Sequence, residues 1–181
     1  MKGLIILVNG FEDVEALATI DVLRRSGIII DTTSLDNKDI ITQSNNKIQV
    51  NYLLNEINTQ EYDFLIIPGG KAVFNILDND NRIDQLIDEF YNNNKLICAI
   101  CAAPRLIAKR GYFKNLKFTI FPGCLDTEVE GKQVKKGVVV EEKFITAKSM
   151  YYSIDFALEI ITKLQGKEQA KIIKKQIKGI K

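Results

Sequence analysis

The sequence of 181 residues contains no histidine, no tryptophan, only three prolines and only three cysteines. The lack of histidine excludes Cys–His and Ser–His nucleophile pairs and every metal site that needs an imidazole ligand. Three cysteines are too few, and odd in number, for a disulfide framework. No apolar run approaches the roughly 20 residues that cross a membrane, and the first residues lack the layout of a signal peptide. We therefore expect a cytoplasmic protein that needs no metal and no membrane.

The charge is nearly balanced overall, with 25 basic and 23 acidic residues, but the first half of the chain is acidic and the second half basic. Lysines are concentrated near the C-terminus, beside a helical stripe formed by Ala170, Ile173, Ile177 and Ile180. A nucleic-acid surface is one interpretation of this segment. A solvated helix lying on a core is the favoured one, because charge alone does not specify a partner. We expect no nucleic-acid partner.

Short apolar runs alternate with amphipathic helical patterns along the chain. Continuous apolar runs at residues 4–8, 28–30, 64–67 and 96–100 are typical of strands buried in a parallel sheet. Helical spacing is found at residues 14–22 (with Val14, Leu17, Ala18 and Val22 as the apolar stripe), 83–91, 104–109, 151–164 and 167–178. Weaker strands are expected at 118–120, 138–140 and 144–146, and a small antiparallel addition at 48–52. The pattern predicts one domain over residues 1–181, an α/β fold with a doubly wound, mostly parallel sheet.

Ligands in such a fold bind beyond the carboxyl ends of the strands. Three features of this chain reach that edge: the acidic segment 12–15, the turn 68–70, and Cys101. The fold prediction therefore also predicts where a site would lie.

Cys101 stands between a predicted buried strand and a predicted helix, the position of a nucleophile on a sharp elbow. Its neighbours Ala102 and Ala103 are small and leave the sulfur approachable, and the helix N-terminus favours a thiolate by up to ~2 kcal/mol. An inert buried cysteine is an equally good interpretation of the local sequence. Cys98, within the strand, is expected to be inert, and the loop residue Cys124 is left undetermined.

Glu15 is the best candidate for an acidic partner, although carboxylates are also common in the first turn of any helix. An ionised carboxylate ~4 Å from a thiolate costs about 4 kcal/mol at an effective dielectric constant of 20. If Glu15 touches Cys101, it must therefore be largely protonated or share one proton with the sulfur. The backbone N–H groups of Gly69 and Gly70 could stabilise an oxyanion, although Pro-Gly-Gly by itself indicates only a turn.

Together these residues resemble the ThiJ/PfpI superfamily, in its DJ-one-like branch. The similarity includes residues 11–16, 21–27, 62–70, 99–104, 156–158 and 164–167. The resemblance implies a flavodoxin-like α/β/α sandwich (the class I glutamine amidotransferase-like fold), a reactive Cys101 and a protonated Glu15. It also implies the backbone N–H of Ala102 at the site, no cofactor, and a homodimer packed through the first helix around Arg25.

The chain also departs from family patterns. Protease-like and amidotransferase relatives use a histidine with the nucleophile, and here the next residue is Ala102. Members of the DJ-one-like branch often have a site-edge histidine before a proline, where this chain has Phe121-Pro122, followed closely by Cys124. Protease and amidotransferase activity are therefore disfavoured.

Two functions stay open at this point. The first is cofactor-independent conversion of small α-oxoaldehydes, as in glyoxalase- or deglycase-like members, with Cys101 as nucleophile and Glu15 as proton shuttle. The second is a non-catalytic redox sensor or stress chaperone that acts through oxidation of Cys101. In either case Cys124 is a plain loop cysteine or, less favoured, a resolving thiol for Cys101.

Overall fold

Isoleucine-rich segments form the centre of a seven-stranded sheet, where their side chains are almost fully buried. The structure is a computed structural model, which describes residues 1–180. In chain order the strands are β1 (Lys2–Ile6), β2 (Ile29–Ser34), β3 (Asp39–Ile41), β4 (Lys47–Gln49), β5 (Tyr52–Leu53), β6 (Phe64–Ile67), β7 (Leu96–Ile100), β8 (Lys117–Phe118), β9 (Lys132–Gln133), β10 (Val138–Val140) and β11 (Phe144–Ala147).

The main sheet has the order β10-β11-β7-β6-β1-β2-β5. All neighbours in it are parallel except β10 and β11, which are antiparallel. The pairs β3–β4 and β8–β9 form two small separate sheets. The predicted doubly wound, mostly parallel sheet is confirmed.

Helices flank this sheet, as the alternating pattern predicts. They are α1 (Asp13–Arg25), α2 (Ala72–Asn75), α3 (Asn81–Asn92), α4 (Pro104–Lys109), α5 (Ser153–Gln165) and α6 (Lys167–Ile177). α1 packs against α5 and α5 against α6, whereas α3 packs against β6 and β7. Within residues 1–180 none of the helices has both the length and the apolar character of a membrane span.

The chain reverses its direction of travel across the sheet at β1, whose two neighbours are β2 and β6. After β1 the chain moves outward to β2, and it later returns to β6 and β7 on the other side. A crevice opens at such a switch point beyond the carboxyl ends of the strands. The loops after β1, β6 and β7 therefore meet at one place.

The buried face of α1 is not the one that the apolar spacing predicts. Val14 and Leu17 are 42% and 39% exposed, and only Val22 of the expected stripe is fully buried. The core face instead includes Glu15, Ala16, Thr19, Ile20 and Leu23. Two adjacent apolar stripes run along this helix, and only the docked position of α1 over the sheet decides which one is buried.

Residues 48–52 do not form one antiparallel strand. β4 pairs antiparallel with β3, and β5 then joins the main sheet parallel to β2. The change occurs where the Val50 N–H donates to Lys38 O and the Asn51 N–H to Thr32 O, so that consecutive residues have different partners. β1 also lies earlier than the expected 4–8, although Leu7 and Val8 are still buried.

Candidate active site

Cys101 lies on a sharp turn directly after β7. Its φ of +64° falls in the left-handed region, which is costly for a residue other than glycine. The Cys101 N–H donates to Ala147 O at 2.9 Å, and the Ala103 N–H donates to Ile100 O at 3.1 Å, so both sides of the turn are held. Strain of this kind, about 1–3 kcal/mol, persists only where the surroundings fix it, and it is common at functional sites.

Glu15 faces this turn from the first turn of α1 and is only 1% exposed. Its Oε2 accepts the Gly69 N–H at 2.8 Å, whereas its Oε1 has no hydrogen-bond partner among the described residues. Glu12 caps the helix by accepting the Glu15 N–H at 2.8 Å. Backbone contacts therefore fix the carboxyl, and its Oε1 remains without a hydrogen-bond partner.

Burial raises the pKa of Glu15 to about 7. Hydrogen bonding with the Cys101 thiol and the Gly69 N–H opposes this rise, and the nearby Glu12 charge adds to it. Cys101 thus lies beside a carboxyl that keeps its proton up to neutral pH.

Burial also raises the pKa of the Cys101 thiol, and the charge of Glu15 raises it further. The Ala102 N–H interacts with the sulfur and lowers the pKa, but by less. Burial and the Glu15 carboxyl therefore outweigh the effect of the helix N-terminus, which by itself favours a thiolate. The helix α4 starts at Pro104 and has six residues, so its dipole does not outweigh burial beside a carboxyl.

The two glycines after β6 differ in what they can do. The Gly69 N–H is occupied by Glu15, so it is not free to bind an oxyanion as expected from the sequence. A Cβ at Gly69 would lie 2.7 Å from both the Cys101 Cβ and the Glu15 Oε2, so the close approach of these side chains requires glycine. The Gly70 N–H makes no hydrogen bond within residues 1–180.

The elbow, the carboxyl and the glycine turn surround a cavity of about 280 Å³. This volume is at the small end for ligand sites and fits a small molecule. Its walls are formed by Glu12, Glu15, Gln43, Gly70, Lys71, Phe74, Cys101, Ala102, Phe121, Cys124, Ser149 and Met150. Four other cavities are larger, but neither Cys101 nor Glu15 lines any of them. The largest two, of about 550 and 530 Å³, lie beside α5 and α6 and beside α3.

The loop after β8 supplies the far wall. The Phe121 N–H donates to Cys101 O at 2.9 Å, and the Cys124 N–H donates to Phe121 O at 3.2 Å. Phe121 and Cys124 both line the cavity, whereas Pro122 does not. Cys98, inside β7, is 0% exposed.

Sequence reasoning missed several residues of the cavity wall. Lys71 directly follows the glycine turn and could have been found from that position. The others come from the β3–β4 turn, from α2 and from the segment after β11, and no local motif marks them: Gln43, Phe74, Ser149 and Met150. The described residues contain no cluster of three or more histidine, cysteine or acidic side chains that could hold a metal ion.

Known proteins resemble this chain along nearly its whole length. DJ-1alpha of Drosophila melanogaster is 32% identical over 96% of this chain and 82% of its own length. An uncharacterized protein of Methanocaldococcus jannaschii is 31% identical over 90% of this chain and 81% of its own length. The structure of oxidized Toxoplasma gondii DJ-1 superimposes with a TM-score of 0.90 at 28% identity, with 97% of each chain covered. The model of the DJ-1/PfpI family matches residues 1–163, and the chain therefore belongs to the DJ-1/PfpI family.

Proposed function

We propose that the protein converts small α-oxoaldehydes to 2-hydroxy acids without a cofactor, in the manner of a glyoxalase or a related deglycase. The observation that carries this proposal is the buried Glu15 carboxyl beside Cys101, with its Oε1 unpartnered and its pKa raised to about 7. A carboxyl with a pKa near neutrality can both give and take a proton.

The reaction needs no external oxidant. The Cys101 sulfur forms a bond with the aldehyde carbon, and the carbonyl oxygen takes the proton that the Glu15–Cys101 pair holds. Glu15 then moves the hydrogen on that carbon, as a proton, to the neighbouring ketone carbon. The proton on the first oxygen passes to the ketone oxygen, so that the first oxygen becomes the carbonyl of a thioester and the ketone becomes a hydroxyl group. Water cleaves the thioester, which releases the 2-hydroxy acid and restores the thiol. One carbon is oxidised and its neighbour is reduced.

Charge develops on the substrate oxygens during these steps. Gly70 and Ala102 both line the cavity, and their backbone N–H groups could donate to such an oxygen. The small volume of the cavity favours substrates of a few carbon atoms. These features suit a short oxoaldehyde better than a large substrate.

Incubation with methylglyoxal, followed by an assay for lactate, tests this function. We expect lactate from the wild-type protein and none above background from Cys101→Ser. Lactate formation by Cys101→Ser at the wild-type rate would overturn the proposal.

One observation favours a second function, redox sensing through Cys101. A sulfinate at Cys101 would accept a hydrogen bond from protonated Glu15, whose Oε1 has no other partner. A solved relative, Toxoplasma gondii DJ-1, is described as oxidized. A protein that accumulates a stable Cys101 sulfinate but forms no lactate would support sensing over catalysis.

We also propose that the protein forms a homodimer through α1. Val14 and Leu17 leave an apolar stripe exposed on this helix, and Ile154 at the start of α5 is 40% exposed beside it. Arg25, at the end of α1, lines a small cavity with Ile154. A second copy of the chain would cover this surface, which explains why α1 has two apolar stripes.

A further inference from the structure

Arg105 is a buried cation beside the site, and none of the proposed chemical steps uses it. It lies in the first turn of α4, and its side chain is only 8% exposed. Its Nε and Nη2 bind Asp78 Oδ2 at 2.9 and 2.8 Å. Its Nη1 and Nη2 bind Asp126 Oδ1 and Oδ2 at 2.7 and 3.3 Å. All three nitrogens of the guanidinium are therefore occupied by carboxylates.

The same guanidinium touches two walls of the cavity. Nη1 also donates to Cys124 O at 3.2 Å, and the group lies 5.2 Å from the centre of the Phe74 ring. Phe74 belongs to α2, whereas Cys124 belongs to the loop after β8, and both line the cavity. Arg105 thus joins two segments that are far apart in the sequence, at the place where they enclose Cys101.

The loop itself has few internal contacts. The backbone hydrogen bonds of residues 121–126 run from Phe121 N–H to Cys101 O and from Cys124 N–H to Phe121 O. Arg105 adds side-chain bonds to Cys124 O and to Asp126. Segments with few backbone hydrogen bonds open easily unless side chains hold them. A guanidinium bonded through two nitrogens to a carboxylate fixes geometry as well as charge, which an ammonium group does not.

We propose that Arg105 is a positioning residue that holds the loop 121–126 against α2 and thereby sets access to the cavity. It touches no reacting atom. The effect of Arg105 on substrate binding rests on the proposed function, but its effect on the shape of the cavity does not. Because Phe74, Phe121 and Cys124 move apart when Arg105 is lost, the cavity then becomes wider and more open.

Alkylation of Cys124 by iodoacetamide, followed by peptide mass spectrometry across a range of pH, measures this effect. The rate at high pH, where the thiol is fully ionised, reports access. The pH midpoint reports the charges around Cys124, which are Arg105, Glu15 and the Cys101 thiol. We expect Arg105→Gln to raise the high-pH rate about tenfold, because a charged hydrogen-bond network is lost. We also expect its midpoint to rise, because the charge of Arg105 lowers the pKa of Cys124.

Three further variants separate positioning from charge and from general destabilisation. Arg105→Lys keeps the positive charge but cannot bind a carboxylate through two nitrogens. The pH midpoint of Cys124 alkylation should therefore stay unchanged, whereas the alkylation rate at high pH should increase. Asp126→Asn weakens the contact between Arg105 and the loop but leaves the pairing of Arg105 with Asp78 intact. If Arg105→Gln does not fold, the Cys124 alkylation rate of Asp126→Asn at high pH tests the proposal instead. Arg82→Gln is a control for the loss of a guanidinium away from the site, because Arg82 also bridges two aspartates, Asp36 and Asp80, although its side chain is 43% exposed.

Unchanged high-pH rates in both Arg105→Gln and Asp126→Asn would overturn the proposal, as would an equal increase in Arg82→Gln. Turnover assays on the same variants should show a larger rise in KM than fall in kcat. A wild-type protein that forms no lactate would refute the proposed function and leave the alkylation result to decide the role of Arg105.

Discussion

The Gly69 N–H donates a 2.8 Å hydrogen bond to Oε2 of Glu15 and so ties the turn after β6 to the helix after β1. This bond fixes the orientation of the carboxyl and leaves Oε1 without a partner beside Cys101. Glu15 is only 1% exposed, and burial keeps its carboxyl protonated up to about pH 7 beside the Cys101 thiol. Several measurable properties depend on this arrangement.

The stability of the protein should fall as pH rises from about 4.5 to about 7. The folded state keeps the Glu15 proton up to about pH 7, whereas the unfolded chain loses it near 4.5. In this window the folded state holds more protons, so the free energy of unfolding decreases with pH, by about 3 kcal/mol in total. Urea unfolding at a series of pH values measures this slope.

Glu15→Gln is the control for that slope, because the amide stays neutral and its oxygen can still accept the Gly69 N–H. The chain has no histidine, so few other side chains titrate between pH 5 and 8. The variant should therefore lack most of the slope. An unchanged slope in Glu15→Gln would show that Glu15 titrates normally.

The rate of α-oxoaldehyde conversion should rise with pH, with a midpoint of about 7. The active form of the Glu15–Cys101 pair holds one proton, and it forms when the first proton leaves. Glu15→Gln should lower kcat/KM by ~10²–10⁴-fold, and Glu15→Ala should abolish turnover. The midpoint in Glu15→Gln should move above 7, because the buried thiol then ionises alone. Near-full turnover by either variant would contradict the mechanism.

Gly69→Ala should disrupt the site without any change in its titratable groups. The new Cβ would lie 2.7 Å from atoms of both Cys101 and Glu15, so one of them must move. We expect a loss of about 1–3 kcal/mol in stability and a shift in the midpoint of the pH–rate profile. Gly27→Ala is the comparison, since it strains a positive φ of +84° in open space and should leave the midpoint unchanged.

Limited peroxide should modify Cys101 before Cys98, because Cys98 is fully buried and its pKa is raised by burial alone. Graded peroxide treatment with peptide mass spectrometry distinguishes the products. We expect a sulfinate at Cys101, and a Cys101–Cys124 disulfide is the less favoured outcome. Cys124→Ser should leave the sulfinate yield unchanged in the first case and raise it in the second. Oxidation of Cys98 before Cys101 would show that Cys101 is not the reactive sulfur.

Leu17→Asp should convert the proposed homodimer to a monomer, because it places a charge in the exposed apolar stripe of α1. Analytical ultracentrifugation at micromolar concentration measures the mass. Ile172→Asp is a suitable control, since Ile172 is about as exposed but lies on α6. A monomeric wild-type protein, or dissociation in both variants, would contradict an α1 interface.

The turn residues between strands and helices allowed the strand ends, and with them the position of the site, to be predicted from the sequence. Pro104 in the first turn of α4 and the glycines after β6 mark the strand ends, and their order alone predicts a common edge for Glu15, Gly70 and Cys101. Arg105 was not recognised, because a basic residue in a helix is normally solvated. Its burial depends on Asp78 and Asp126, which are distant in the sequence.

The sequence by itself determined the parallel sheet and the family resemblance, because continuous apolar runs and turn residues are local signals. It also determined that any reactive cysteine must work without histidine. Only the tertiary structure decided which stripe of α1 is buried, that the Gly69 N–H is taken by Glu15, and that burial raises the pKa of Cys101. The physical reason is that burial, charge and hydrogen bonding at Cys101 come from β6, α1 and the loop after β8. A helix dipole is a local property, whereas desolvation depends on every segment that closes over the site.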